Sequence, residues 1–192
     1  MKRLIGLNKT KTAVFISGRG SNLKALINFS IKKNSPISIE LVISNNKTAK
    51  GLKYAKKSKI EKKIINFKNK NFAEKKILKF LYKKKINFIC LAGFMKILSS
   101  YFIKNFKGKI INIHPSLLPK YKGLNTHERV IKNNDIKSGC TVHYVSQKLD
   151  SGKIIMQKIV KITKKETVKS LKKKILKKEH TLYPESIKKI FS

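Results

Sequence analysis

The chain has 192 residues, 41% of them apolar, and sets 47 Lys plus Arg against 9 acidic side chains for a formal charge of +38. That length and apolar content suit one packed domain and argue against a disordered chain. No stretch approaches the roughly 20 apolar residues of a membrane helix. The apolar run in MKRLIGLNKTK is too short for a signal peptide, and Cys90 and Cys140 lie apart without a CxxC pair. A reduced, cytoplasmic protein with no membrane partner is the expectation.

In chain order, TAVFIS (residues 12–17) reads as a short buried strand running into the Gly-rich turn SGRGSN (17–22). SNLKALINF follows, with Leu23, Leu26 and Ile27 at helical spacing and Ser21 or Asn22 placed to cap the helix. ISIELVI (37–43) is a second strand, a lysine-rich helix lies near 47–58, and KIINF (63–67) is a third strand. A helix around 72–84 leads to the continuous apolar strand INFICLAG (86–93). A short helix after Met95 carries Ile97, Leu98, Tyr101 and Phe102, and KIINIH (109–114) forms the next strand. A loop held by Pro115 and Pro119 connects to the helix THERVIKNN (126–134). GCTVHYV (139–145) and KIIMQKIVKI (153–162) read as strands at the far edge of the sheet, joined by the turn QKLDSG (147–152). Thr163 and Glu166 have capping-box spacing and open a long final helix. This alternation predicts an α/β fold: one Rossmann-like domain with a mostly parallel sheet and helices on both faces.

Two readings of the charge stand side by side. A surplus of this size attracts nucleic acid, membranes or anionic substrates. Drift toward Lys, Ile and Asn would equally fill every tolerant surface position with lysine. The lysines are spread along the whole chain and not gathered into a stripe, which favours drift and leaves any nucleic-acid binding non-specific. Residue types that drift disfavours then become informative. The chain has two Asp (Asp135, Asp150) and four His (His114, His127, His143, His180).

SGRGSN joins a strand to a helix N-terminus, where glycines admit a close ligand and free amides favour an anion. It lacks the GK[ST] ending of a Walker loop, and Leu23 stands where a dinucleotide fingerprint has its third Gly, so a mononucleotide-type phosphate is the fit. An ordinary tight turn is the alternative. In an extended 109–114 segment, Asn112 and His114 point the same way, at the carboxyl end of a strand where open parallel sheets gather ligands. An amide and an imidazole there can both donate to an oxygen gaining negative charge. A structural Asn and a core His remain open from those two positions alone. Asp150 shifts the balance, since a carboxylate near His114 would orient the ring and could accept a proton. Its alternative is an Asp serving its own turn. On the last helix, Val168, Leu171, Ile175 and Leu182 form an inward stripe whose gap falls on Glu179. A carboxylate on an apolar face needs a partner or a ligand, such as sugar hydroxyls. A pairing with one of the many lysines is the alternative. His127 opens HERVI, which fails the metalloprotease pattern at Ile131, and His143 and His180 read as packing or supporting groups. No metal site is expected, and Ser116 lacks the relay of a serine hydrolase.

Together, FISGRGSNLKALI, LAGFMKILS, INIHPSLLPKYKGLNTHE, GCTVHYVSQKLDSGKIIMQ and KKEHTLYP resemble the phosphoribosylglycinamide formyltransferases, folate-dependent enzymes of purine synthesis. The resemblance runs from residue 13 to about 185, in the family's order. It implies the formyltransferase fold over 1–192, with a phosphate-binding half at about 12–104 and a catalytic, folate-binding half at about 105–192. It implies formyl transfer from 10-formyltetrahydrofolate to the amine of glycinamide ribonucleotide, with no metal. Asn112 and His114 would stabilise the oxyanion, and Asp150 would assist proton transfer. Gly20, Ser21 and Asn22 would take the phosphate and Glu179 the ribose hydroxyls. Met95, Lys96, Ile97, Leu98, Asn112 and Val145 would contact the folate. Lys96 stands where the family usually carries Arg, and lysine lacks arginine's planar fork. The Asn-x-His-Pro-Ser-Leu-Leu-Pro stretch is shared with methionyl-tRNA formyltransferases and formyltetrahydrofolate deformylases, which are the nearest alternatives. A nucleic-acid-binding protein on an inactive scaffold is the alternative from another class. The oligomeric state is not readable from the sequence.

Overall fold

The computed structural model describes residues 9–192, so most of the stretch read against a signal peptide, residues 1–8 of it, lies outside the described residues. Seven strands form one sheet: β1 (Thr10–Ile16), β2 (Ile37–Ser44), β3 (Glu61–Ile64), β4 (Phe88–Leu91), β5 (Lys109–His114), β6 (Lys137–Tyr144) and β7 (Ile154–Lys161). Their spatial order is β3-β2-β1-β4-β5-β6-β7. β3 through β5 run parallel, while β6 is antiparallel to β5 and β7 antiparallel to β6. The expected mostly parallel α/β sheet is therefore present, with the last two strands as its antiparallel edge.

Alternation along β1 shows why helices cover both faces. Val14 and Ile16 point toward Leu23 and Leu26 of α1 (Ser21–Ser30) and Leu171, Ile175 and Leu182 of α6 (Val168–Phe191). Ala13 and Phe15 point the other way, toward Ile77 and Leu81 of α3 (Lys70–Lys83) and Phe102 of α4 (Ser100–Asn105). A strand buried on both faces reads as a continuous apolar run, as TAVFI does. Two short helices, α2 (Leu52–Lys57) and α5 (Thr126–Lys132), add Leu52, Ala55 and Val130 to the first face.

Several boundaries differ from the sequence expectations for physical reasons. The third strand is EKKI and not KIINF: it is an edge strand with exposed side chains, so hydrophobicity does not mark it, and Ile65 is buried just beyond its end. Ile97 and Leu98 precede α4 in an irregular loop. The capping box lies four residues later than Thr163, at Thr167 and Ser170, each side chain bonding the other's backbone N–H. No helix among the described residues is long and apolar enough to cross a membrane.

Candidate active site

β5 carries Asn112 and His114 to its carboxyl end, and the antiparallel register with β6 sets His143 opposite Asn112 and Thr141 opposite His114. Asp150 comes from the β6–β7 turn with a left-handed backbone, φ 46°. Asn112, His114, His143 and Asp150 meet there. His114 Nδ1 lies 3.4 Å from Asp150 Oδ2, with both side chains under a tenth exposed. The same carboxylate oxygen accepts from the Gly123 backbone N–H at 2.9 Å, and His114 Nε2 donates to the Tyr121 carbonyl at 2.8 Å. Both ring nitrogens of His114 thus face acceptors, and the imidazole is held edge-on to the carboxylate.

His143 orients the amide. Its Nδ1 lies 2.9 Å from the Tyr144 carbonyl, which can only accept, so Nδ1 carries the proton and Nε2 is the lone-pair nitrogen. Nε2 accepts from Asn112 Nδ2 at 3.2 Å. Burial pushes the His143 imidazole below its ordinary pKa, with the Tyr144 bond and the Asp150 charge opposing, which matches a neutral ring. The 3.7 Å separation from Asp150 Oδ1 is too long for a hydrogen bond. Asn112 therefore keeps its second amide hydrogen for a ligand.

The cluster forms one wall of a cavity of about 530 Å³. Leu91, Leu98 and Val145 supply apolar walls, while Met95, Lys96 and Ile97 lie exposed at the rim. Apolar walls with a few converging polar groups suit a flat heteroaromatic ring bearing polar edges. The loop that carries Met95 to Leu98 is anchored on both sides. The Met95 N–H donates to Ser17 Oγ at 2.7 Å, and Ser99 donates through both its N–H and its hydroxyl to the fully buried Glu74.

The Gly-rich turn faces a second region. Gly20 precedes α1 at φ 73°, and no side chain caps the helix, contrary to the capping expected of Ser21 or Asn22. A Cβ on Gly20 would sit 2.4 Å from Gly51 Cα, so the position has no room for a side chain. The first-turn amides of Ser21 and Asn22 face the end of the turn, and Asn22 Nδ2 donates to Glu179 Oε2 at 2.7 Å. Burial pushes the Glu179 carboxyl up to about 7, opposed by the Asn22 bond. Glu179 also lines the cavity, so it links the Gly-rich turn to the Asn112–His114–Asp150 wall.

The structure thus brings Asn112, His114 and Asp150 together, places Met95, Lys96, Ile97, Leu98 and Val145 around the same cavity, and joins Asn22 to Glu179. His143, read from the sequence as a packing or supporting group, is a supporting one, which the β5–β6 register decides. Sequence reasoning missed two contributors. Tyr121 acts through its carbonyl, which no side-chain pattern marks. His127 lines the cavity with Nδ1 buried and without a partner among the described residues.

An open α/β sheet with amide, imidazole and carboxylate converging at its strand ends is the frame of a small-molecule group-transfer enzyme. Residues 10–187 match the formyl transferase family, and the chain belongs to that family. It is similar to the phosphoribosylglycinamide formyltransferase of Haemophilus influenzae, with 40% identity over 181 residues, 93% of this chain and 85% of that protein. It is similar, again at 40% identity, to the human trifunctional purine biosynthetic protein adenosine-3 over 96% of this chain, but it spans 18% of that relative's length. The crystal structure of phosphoribosylglycinamide formyltransferase from Brucella melitensis superposes with a TM-score of 0.90 at 39% identity, covering 95% of this chain and 96% of that one.

Proposed function

We propose that this chain transfers the formyl group of 10-formyltetrahydrofolate to the amine of glycinamide ribonucleotide, a step of purine synthesis. The observation that carries the reading is the convergence of Asn112, His114 and Asp150 on a cavity of about 530 Å³, in a chain similar over 93% of its length to an enzyme of that name. Formyl-folate supplies the activated one-carbon group. Met95, Ile97, Leu98 and Val145 pack against its ring, and the Asn112 amide holds the formyl oxygen. Lys96 offers a single positive charge at the rim. Gly20, Ser21 and Asn22 hold the ribonucleotide phosphate through backbone amides, and Glu179 accepts from the ribose hydroxyls.

As the amine attacks, a C–N bond forms and negative charge grows on the formyl oxygen. Asn112 and His114 donate to that oxygen, from a site already oriented by His143, Tyr121 and Asp150. Asp150 takes the proton that the amine must lose. The proton is returned to the departing folate nitrogen as its bond to the formyl carbon breaks, so protons and charge balance. A cytoplasmic setting belongs to this reading, since Cys90 and Cys140 are buried free thiols.

The test is formyl transfer measured on the parent beside Asp150→Asn. The parent turns over, and the variant loses about a hundredfold or more in kcat, the usual worth of a positioned acid–base group. A folded parent that transfers nothing to glycinamide ribonucleotide overturns the reading; formate release and tRNA formylation are the assays to run next.

A further inference from the structure

Of the two aspartates, Asp150 stands in the site and Asp135 does not. Asp135 follows α5, and its Oδ2 accepts from the Tyr121 hydroxyl at 2.9 Å. The same hydroxyl accepts from Asn133 Nδ2 at 2.9 Å. Arg129 lies over the Tyr121 ring at 5.1 Å and donates from Nη1 to the neighbouring Lys122 carbonyl at 2.7 Å. Residues of α5 and its exit therefore grip one side chain from three directions. Tyr121 needs such a grip because its backbone is left-handed, φ 57°, a conformation disfavoured for a bulky L-residue. In that conformation its carbonyl is turned to receive His114 Nε2 at 2.8 Å, with Ser116 Oγ at 3.4 Å.

We infer that Tyr121, tethered by Asp135, is a positioning unit for His114: the hydroxyl anchor holds the strained turn, and the turn aims a carbonyl that fixes the tilt of the imidazole. The inference rests on the formyl-transfer reading for the role of His114, and on geometry alone for the tether. Fixing Nε2–H toward Tyr121 leaves Nδ1 for Asp150 and the reacting oxygen. A ring released from Tyr121 turns about χ2 and presents the wrong nitrogen or the wrong angle. A residue that merely packed the loop would affect stability and leave the ring chemistry alone. Tyr121→Phe and Asp135→Leu separate these cases, because each nearly keeps shape and removes one end of the tether.

The experiment measures kcat and both KM values on the full chain for Tyr121→Phe, Asp135→Leu and the double variant. It also records ¹⁵N–¹H spectra of the histidine rings, with His114 assigned through His114→Gln. The expected result is a kcat loss of about tenfold or more in each single variant, a magnitude that a small misplacement of a reacting group produces. Both KM values stay within about twofold, and the double variant loses no more than either single, as residues of one chain of contacts do. The His114 ring signals shift in all three variants. Unchanged kcat and unchanged His114 signals in Tyr121→Phe overturn the inference and leave the formyl-transfer reading intact. If the parent transfers no formyl group, that reading fails, and the ring signals still decide whether the tether sets the state of His114. Should Asp135→Leu fail to fold, Tyr121→Phe alone carries the decision, since it deletes a single oxygen.

Discussion

Glu179 lies on the inward face of α6, 6% exposed, and burial pushes its carboxyl from an ordinary 4.5 up to about 7. A carboxyl raised in the folded state costs stability as pH rises, because the unfolded chain gives up its proton first. Well below 4.5 both states hold the proton and the fold bears no penalty; the penalty grows up to about 7 and then levels off. At about 1.4 kcal/mol for each pH unit, the gap between 4.5 and about 7 amounts to about 3 kcal/mol at pH 8. At pH 5 the same relation leaves about 1 kcal/mol. Glu179→Gln removes the titration, keeps an oxygen for Asn22 Nδ2, and offers an amide to Asn22 Oδ1, which is buried without a partner among the described residues. Urea unfolding at pH 5, 6.5 and 8 is therefore expected to show the variant more stable than the parent, by about 1 kcal/mol rising to about 3 kcal/mol. Its KM for glycinamide ribonucleotide should rise in the same preparation, since the ribose acceptor is weakened. A stability gap that stays constant with pH, or a variant less stable than the parent at pH 8, refutes the reasoning.

Gly20→Ala must place a Cβ against Gly51 Cα in a left-handed conformation, so thermal melts should show a loss of at least about 1 kcal/mol and the ribonucleotide KM should rise more than the folate KM. Glu74→Ala strips Ser99 of both its acceptors, and calorimetry should show about 2–4 kcal/mol of lost stability. Because Ser99 ends the loop that lines the cavity, the folate KM should rise in that variant while the ribonucleotide KM holds. Tyr183→Phe removes a buried hydroxyl that donates toward the Leu91 and Ile111 carbonyls, at a cost of about 1–3 kcal/mol by urea unfolding and with little change in either KM.

What the sequence made legible follows local rules. TAVFIS and KIINIH are apolar because both faces of β1 and β5 are covered, and their bounds agree with the structure to within two residues. The strand alternation placed Asn112 and His114 on one side, and composition singled out Asp150. The remainder depends on distance in sequence. β3 pairs at an edge through its backbone, so its lysines carry no signal. Thr163–Glu166 and Thr167–Ser170 offer similar spacings, and only the docking of α6 selects the second. In that arrangement Glu166 pairs with Lys174 and accepts from the Ser170 hydroxyl. His143 needed the β5–β6 register, and Tyr121 needed a carbonyl direction set by residues more than ten positions away.

The carboxylates divide by partner in a way that the lysine surplus makes informative. Glu61 and Glu185 pair with lysines in the reach of solvent, which is worth little in stability, and Glu166 pairs with the exposed Lys174. Glu74, Asp135, Asp150 and Glu179 instead take serine, tyrosine, histidine with a backbone amide, and asparagine. With 47 lysines and arginines available, a carboxylate bound to other donors has been withdrawn from the surface into a fixed geometry. Withdrawal costs free energy unless every oxygen is satisfied, so such groups persist where their direction matters. All four lie in the cavity wall or hold a segment that forms it: Glu74 the Met95–Leu98 loop, Asp135 the Tyr121 turn, Asp150 the His114 ring and Glu179 the first turn of α1. A lysine introduced beside any of the four would compete for the carboxylate and pull it out of its bond, whereas lysines elsewhere on the surface leave the site untouched. The surface can therefore drift to high positive charge while the geometry of the cavity is held by four carboxylates and their partners Ser99, Tyr121, His114, Gly123 and Asn22.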